Sequence, residues 1–455
     1  MLLKKNDVIK LTIEELSLGK GIGRYENIVI FVPNSCPGDE VMVKIVKVKS
    51  HYCFGIIDKL LVPGKSRIKP KCDVSSKCGG CSYGHIEYDQ EIQEKTKFVY
   101  DSLTRLGKLS EISVKATLPS ERVYQYRNKC QMPVGYDKNG NLTAGFYAPH
   151  SHTIIPCGCD CLLQPDLFKK VINLIIDWMK EYNIKPYDEK SNTGLIRHIY
   201  LRYGEKSRQL MLCLVSTNKN LPNSNILIDK LKSKIKELST VIINVNNKNT
   251  NVILGPKSYV IYGSGYIIDN LCGLDFKISP FSFYQVNHQQ TENLYSIAKE
   301  YACLNGNETV LDLFCGIGTI GLFMADKAKH VIGAEVTPQA VEDAKYNAQL
   351  NNINNAEFLE MDLTKDPEYF EKRGIKPDVV IIDPPRKGCS ESLIKTISRI
   401  SPQKVVYVSC NPTTLARDLQ LLTTLNYNVK KIHPVDMFPR TEHVETVVLL
   451  TKEHN

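Results

Sequence analysis

At 455 residues the chain is too long for one ordinary hydrophobic core, and its 42% hydrophobic and 24% charged residues are those of a folded globular protein, with no low-complexity tract or internal repeat. A net charge of +9, from 58 Lys and Arg against 49 Asp and Glu, favours a polyanionic partner without naming one, because clusters such as Lys44, Lys47, Lys49 or Lys69, Lys71 also occur on proteins that bind no nucleic acid. No apolar run is long enough to cross a bilayer and the first residues lack the apolar core of a targeting segment, so a cytoplasmic protein with no membrane contact is expected. In that compartment 15 cysteines are not a disulfide framework, and some of them point to metal or catalysis.

Residues 1–60 alternate apolar and polar in short runs, at 8–13, 28–32, 40–48 and 54–60, punctuated by glycine and proline. The pattern predicts a small antiparallel β-barrel, with Gly19, Gly21 and Gly23 in a mobile loop and Pro33, Pro37 and Gly38 in turns. Barrels of this kind often bind single-stranded nucleic acid. Pro63, Gly64 and Pro70 mark a linker, followed by a cysteine cluster and a polar helical stretch over about 88–106. Residues 110–270 mix strand-like runs at 208–215 and 241–245 with one amphipathic helix over 165–182, a central α+β domain whose role is not legible from pattern. From about 280, helical segments alternate with apolar strand candidates at 309–314, 330–335, 378–382, 404–408 and 446–450. This is a doubly wound, Rossmann-like α/β domain, in which ligands sit at the carboxyl ends of the strands.

After the first of these strands comes Asp312-Leu313-Phe314-Cys315-Gly316-Ile317-Gly318-Thr319, whose glycines let the backbone turn against a ligand. Glu335 ends the next strand, where a ribose-binding carboxylate belongs. Thr319 and Ile320 replace the third glycine of a pyrophosphate loop, so a nucleoside without phosphates fits better than a dinucleotide. S-adenosylmethionine is such a ligand.

Cys410, in Val408-Ser409-Cys410-Asn411-Pro412, follows a later strand; a cysteine there is more often a small core residue. Asp383-Pro384-Pro385-Arg386 ends the strand before it and Glu445 begins the last one, so three reactive groups are expected on one rim. Carbon 5 of uracil is too weak a nucleophile to take a methyl group unaided. A thiolate adding at C6 makes an enolate nucleophilic at C5, and a carboxylate then removes the C5 proton so that the thiolate leaves. Cys410 and Glu445 suit those roles, and a target base embedded in RNA must leave its stack to reach them.

Cys78-Gly79-Gly80-Cys81 with His85 and Tyr88, Phe283-Tyr284-Gln285-Val286-Asn287, the 312–318 loop, Asp383-Pro384-Pro385-Arg386-Lys387-Gly388, Val408-Ser409-Cys410-Asn411-Pro412 through Ala416-Arg417-Asp418, and Asp436-Met437-Phe438-Pro439 with His443-Val444-Glu445 occur in this order. The set resembles, almost end to end, the TRAM-domain RNA uridine-C5 methyltransferases, especially the bacterial 23S rRNA (uracil-5-)-methyltransferase type. The resemblance implies Cys410 as nucleophile, Glu445 as proton acceptor, and Gln285, Phe314, Glu335 and Asp383 as contacts of S-adenosylmethionine. Thr319 and Asp362 stand where related enzymes often have Asn. It also implies an OB-like TRAM barrel at 1–62, an iron–sulfur and RNA-binding domain at 63–272 and a methyltransferase domain at 273–455, with a helix near 93–117 packed on the last.

Cys72, Cys78 and Cys81 follow a C-x5-C-x2-C spacing that by itself allows an iron–sulfur cluster, zinc or coincidence. The resemblance implies a [4Fe-4S] cluster and favours Cys161, in Cys161-Leu162-Leu163-Gln164, as fourth ligand, with Cys159 the alternative. The expected partner is RNA, 23S rRNA before transfer RNA, with no protein partner evident. An RNA cytidine-C5 methyltransferase is disfavoured because its Pro-Cys and Thr-Cys pair is absent. Arg386, where an aromatic should follow the prolines, disfavours an amine methyltransferase. A non-catalytic rRNA assembly factor is disfavoured by the intact Cys410 and Glu445.

Overall fold

The computed structural model describes residues 3–149, 151–156 and 160–453. Cys159, with Cys157 beside it, lies outside the described residues.

The first sheet holds β1 (Val8–Thr12), β2 (Glu15–Ser17), β3 (Lys20–Tyr25), β4 (Ile28–Pro33), β5 (Glu40–Val48) and β6 (Tyr52–Val62), ordered β1-β5-β6-β4-β3-β2. Alternate residues such as Leu11, Ile30, Val32, Val43, Ile45 and Cys53 point inward and form its core. Gly21 and Gly23 are not in a mobile loop as the glycine pattern predicted: both lie on the inward face of β3. A Cβ on Gly23 would come within 2.6 Å of the Thr12 carbonyl, and one on Gly21 would collide with Ser35, so these glycines serve close strand packing rather than flexibility.

A second sheet is built from β7 (Lys129–Tyr136), β8 (Leu142–Ala144), β11 (Ile196–Tyr203), β12 (Leu210–Ser216), β13 (Leu238–Val245) and β14 (Lys257–Gly263), ordered β14-β13-β12-β11-β7-β8; β9 (Phe146–Tyr147) and β10 (Ile154–Ile155) form a separate ribbon. Helices Asp166–Glu181 and Ser224–Lys234 bury their apolar stripes against one face of this sheet. From the other face, Tyr200, Met211, Cys213 and Ile242 enter the core of the catalytic region, together with the hairpin β15 (Ile267–Leu271) and β16 (Leu274–Ile278).

The third sheet holds β17 (Thr309–Leu313), β18 (His330–Glu335), β19 (Ala356–Glu360), β20 (Val379–Ile382), β21 (Lys404–Ser409), β22 (Tyr427–Val435) and β23 (Glu445–Lys452), ordered β19-β18-β17-β20-β21-β23-β22. Its first five strands are parallel and β23 runs antiparallel to both neighbours. Strands β20, β21 and β23, in the inner part of this sheet, are nearly continuous apolar runs because both of their faces are covered. Strand order reverses between β17 and β20, which opens a crevice at their carboxyl ends.

The helix expected near 93–117 is placed differently. It runs Tyr88–Asp101, continues as a π-helical turn Ser102–Leu106, and gives way to extended chain whose Val114 and Leu118 bridge to Ile432 and Val435 of β22. Val99 and Leu103 lie in the core of the third sheet. The buried Lys95 ammonium donates to Glu91 (2.8 Å) and to Asp436 (2.5 Å), so this helix is tied to the catalytic region by charge as well as packing. Among the described residues no helix is long and apolar enough to cross a membrane.

Candidate active site

Three carboxyl-edge loops supply the first half of the site. Behind β17 the chain turns through left-handed conformations at Phe314 (φ 63°), Gly316 (φ 55°) and Gly318 (φ 82°) before helix Thr319–Met324. Two of these cost little because they are glycine; Phe314 bears the strain of a bulky side chain at positive φ. Asp312 beneath the loop is wholly buried; its Oδ2 accepts from the Gly321 N–H (2.9 Å) while Oδ1 has no partner among the described residues. Burial pushes its carboxyl up to about 8. Glu335, at the end of β18, accepts from the Gly316 N–H (3.2 Å) and the Thr337 N–H (2.8 Å), so its carboxylate is held against the glycine loop.

A cavity of about 510 Å³ opens there, lined by Phe314, Glu335, Met361, Asp362, Pro385 and Lys387 among others. Phe314, Glu335 and Asp362 are thus brought together. Gln285 and Asp383 are not among the residues lining that cavity. Gln285 is buried in the segment before helix His288–Ala302, whose backbone is held by Asn128: its side chain donates to the Gln285 carbonyl (3.0 Å) and its N–H to the Val286 carbonyl (2.9 Å).

The second half lies at β20, β21 and β23. Cys410 follows β21 and is half-buried; burial, then the negative charges of Glu445 and Asp383, push its thiol up to about 12, while Arg386 opposes them. Glu445 opens β23 and is almost wholly buried; desolvation first, then Asp383, push its carboxyl up to about 8, with Arg386 again opposing. Asp383, partly exposed as a residue, is raised to about 7 by desolvation of its carboxyl. Of the three groups predicted to share one rim, Cys410 and Glu445 both feel the charge of Asp383, and Cys410 also feels that of Glu445. Their loops are also joined, since Asn411 caps helix Pro412–Thr424 with its side-chain oxygen and donates its amide N–H to the Arg386 carbonyl (3.0 Å).

Sequence reasoning used Arg386 only to dismiss another reaction, and missed that it is the cation acting on both Cys410 and Glu445. The signal was its place two residues beyond Asp383's first proline, on a rim already expected to be acidic. It also missed the hydrogen bond between Tyr295 and Thr319 (2.8 Å), for which no local pattern exists.

Cys72, Cys78, Cys81 and Cys161 line one cavity of about 380 Å³, together with Lys71, Arg127 and Arg440. Burial, then the charges of Cys161, Cys78 and Cys72, push the Cys81 thiol up to about 12; Cys161 is raised to about 11, chiefly by burial. Gly79 turns the chain here at φ 69°. Among the described residues no three Cys, His, Asp or Glu side chains already converge as a coordination shell.

A doubly wound sheet with an antiparallel penultimate strand, a glycine loop and a ribose-type carboxylate defines a nucleoside-dependent transferase of the methyltransferase class. The tRNA (Uracil-5-)-methyltransferase family pattern matches residues 227–453, and the TRAM domain pattern matches residues 3–57. RNA methyltransferases, themselves uncharacterised, from Halalkalibacterium halodurans and Clostridium tetani are 43% identical over 449 residues (98% of each chain) and 44% identical over 451 residues (99% of this chain, 97% of the other). The crystal structure of Pyrococcus abyssi tRNA (uracil-54, C5)-methyltransferase in complex with S-adenosyl-L-homocysteine superposes with a TM-score of 0.78 at 29% identity, over 97% of this chain and 99% of that one. The chain belongs to the TRAM-domain RNA (uracil-5-)-methyltransferase family, enzymes that depend on S-adenosylmethionine.

Proposed function

We propose that the enzyme methylates C5 of a uridine in ribosomal RNA, of the 23S type, with Cys410 as nucleophile and Glu445 as the base that ends the reaction. The observation that carries the mechanism is the antiparallel register of β21 and β23, which brings Cys410 and Glu445 to the same end of neighbouring strands, beside the end of β20 where Asp383 lies. With its proton lost to solvent, Cys410 Sγ bonds to C6 of the flipped uracil, the C5=C6 electron pair moves into the enolate, and C5 would take the methyl group as that group's bond to the sulfonium sulfur breaks. Glu445 then removes the C5 proton, the C5=C6 bond reforms and the Cys410 thiolate leaves. In the resting site Cys410 is a thiol and Glu445 is largely protonated at neutrality, and Arg386 is the protein's own cation favouring both charged forms.

S-adenosylmethionine supplies the methyl group and, when bound, a positive sulfonium that lowers the proton affinity of nearby carboxyls. The residues fit it: the 510 Å³ cavity offers Glu335 to a ribose and the Phe314 ring and Met361 to an adenine, and Asp312 keeps an unpaired buried oxygen under the loop. Gln285 and Asp383 complete the set from the catalytic side.

The cysteine cavity fits a [4Fe-4S] cluster held by Cys72, Cys78, Cys81 and Cys161, with Arg127 and Arg440 offsetting the thiolate charge. No step above needs electron transfer, so the cluster's part is to hold the fold or the RNA. The domains proposed are 1–62, 63–272 and 273–455.

A transfer-RNA substrate is the second reading, supported by the likeness to the P. abyssi tRNA enzyme. Mass-spectrometric mapping of 5-methyluridine in RNA from cells with and without the gene decides: loss at ribosomal uridines supports the first reading, loss only in transfer RNA the second, and no loss in either refutes both.

A further inference from the structure

The barrel carries three aromatic rings on its outside. Along β6 the inward residues are Cys53 and Gly55, which leaves Tyr52, Phe54 and Ile56 facing out; along β4, Ile30 and Val32 face in and Phe31 faces out. The parallel register pairs Phe31 with Phe54, and the rings of Phe31, Phe54 and Tyr52 meet pairwise at 5.5–5.7 Å between centroids. Tyr52 is 37% and Ile56 48% exposed. A barrel core has no use for rings on this side, because the core beneath is already filled by Ile30, Val32, Val43 and Cys53.

Cations flank the rings. Lys47 on β5 pairs with Phe54, and Lys49 donates its backbone N–H to the Tyr52 carbonyl; both are exposed. On the other side Arg24 of β3, opposite Val29, which pairs with Tyr52, is already ion-paired with Glu14. Aromatic faces set among lysines are what an unpaired nucleotide needs: a base stacks on the ring while the cations take its phosphates.

The strand beside the patch also leads back to the segment that precedes Glu445. Ile22, the β3 residue opposite Phe31, is three residues past Gly19, and the Gly19 turn lies against Ser82 and the Glu442 carboxylate. Glu442 is three residues before Glu445.

We infer that Phe31, Tyr52 and Phe54 form a stacking platform for an unpaired base of the same RNA whose uridine enters the Cys410 site, with Lys47 and Lys49 holding the flanking phosphates. The inference rests on RNA being the substrate.

The test uses the full-length enzyme and two fluorescein-labelled probes of equal length, a single-stranded oligouridylate and an RNA duplex. Tyr52→Ala/Phe54→Ala should weaken single-strand binding by about tenfold or more and leave duplex binding and the salt dependence of affinity unchanged, since no phosphate contact is lost. Tyr52→Trp should keep the affinity and show emission quenched by the oligouridylate, readable because Trp178, the one native tryptophan, is buried. Wild-type affinity in the double variant, equal loss for both probes, or an unquenched Tyr52→Trp that still binds would each overturn the platform. If instead wild-type enzyme methylates no RNA while the quenching and the single-strand loss are both seen, the platform stands and the assigned reaction fails.

Discussion

Cys410 and Glu445 stand at the same end of two neighbouring antiparallel strands, Cys410 just past β21 and Glu445 at the start of β23. The antiparallel register of β21 and β23 ends with Ser409 opposite Thr446, and one further step along both chains gives Cys410 and Glu445. Neighbouring strand ends of this kind bring a thiol and a carboxyl to the same edge of the sheet, as two groups serving one pyrimidine ring must be.

Glu445→Gln should therefore stop the reaction after methyl transfer, with an RNA–protein adduct that survives denaturing electrophoresis and turnover down by about 10²–10⁴-fold. Cys410→Ala should give neither adduct nor product. An equal adduct yield from both variants would remove Cys410 from the mechanism.

The rate should rise with pH. Glu445 must be a carboxylate to take the C5 proton and Cys410 must lose its proton to attack, and burial holds them at about 8 and about 12 in the resting site. A plot of kcat/KM against pH should climb through about 8; a profile flat from 6 to 9 would contradict the assignment.

The same burial has a stability signature in cofactor-free protein. A carboxyl raised in the folded state contributes stability that is complete below its unfolded value and lost as pH rises through the folded one, here between the ordinary value of 4.5 and about 8 for Glu445. Glu445→Gln should raise unfolding stability at pH 8 by about 1–3 kcal/mol and give no gain near pH 4, measured by urea titration.

Glu335→Ala removes a carboxylate held by the Gly316 N–H of the glycine loop and by the Thr337 N–H just beyond β18. Calorimetric affinity for S-adenosylhomocysteine should fall by about 1.5–3 kcal/mol, with kcat at saturating cofactor changed far less.

Lys95→Met leaves Glu91 and Asp436 buried without their shared cation. The expected cost is about 3–5 kcal/mol of stability, since an uncompensated buried charge outweighs the packing gained. A cost below about 1 kcal/mol would mean that Arg440, which also approaches Glu91, takes over the pairing.

How much of this was legible in the sequence depends on how far each feature reaches along the chain. Glu335 and the glycine loop were readable because strand, turn and carboxylate follow one another within a single βαβ unit, and apolar runs such as residues 330–335 and 404–408 identify buried parallel strands by composition alone. Gly21 and Gly23 were misread as loop because glycine permits both flexibility and close packing, and only Ser35 and Thr12 across the barrel distinguish the two. The helix expected near 93–117 was misplaced because its second half pairs with β22, more than three hundred residues away.

By itself the sequence determined the chemical inventory, the order of the motifs and the reaction class, since these are properties of residue type and local spacing. Only the tertiary structure decided that Cys410 and Glu445 come to one end of neighbouring strands, that the charge of Arg386 bears on both, that the four cysteines share one cavity and that three rings gather on the barrel's outer face. Each of these depends on strand register and sheet packing, where a shift of one residue turns a side chain to the opposite face, and local periodicity carries no information about which distant strand will be the partner.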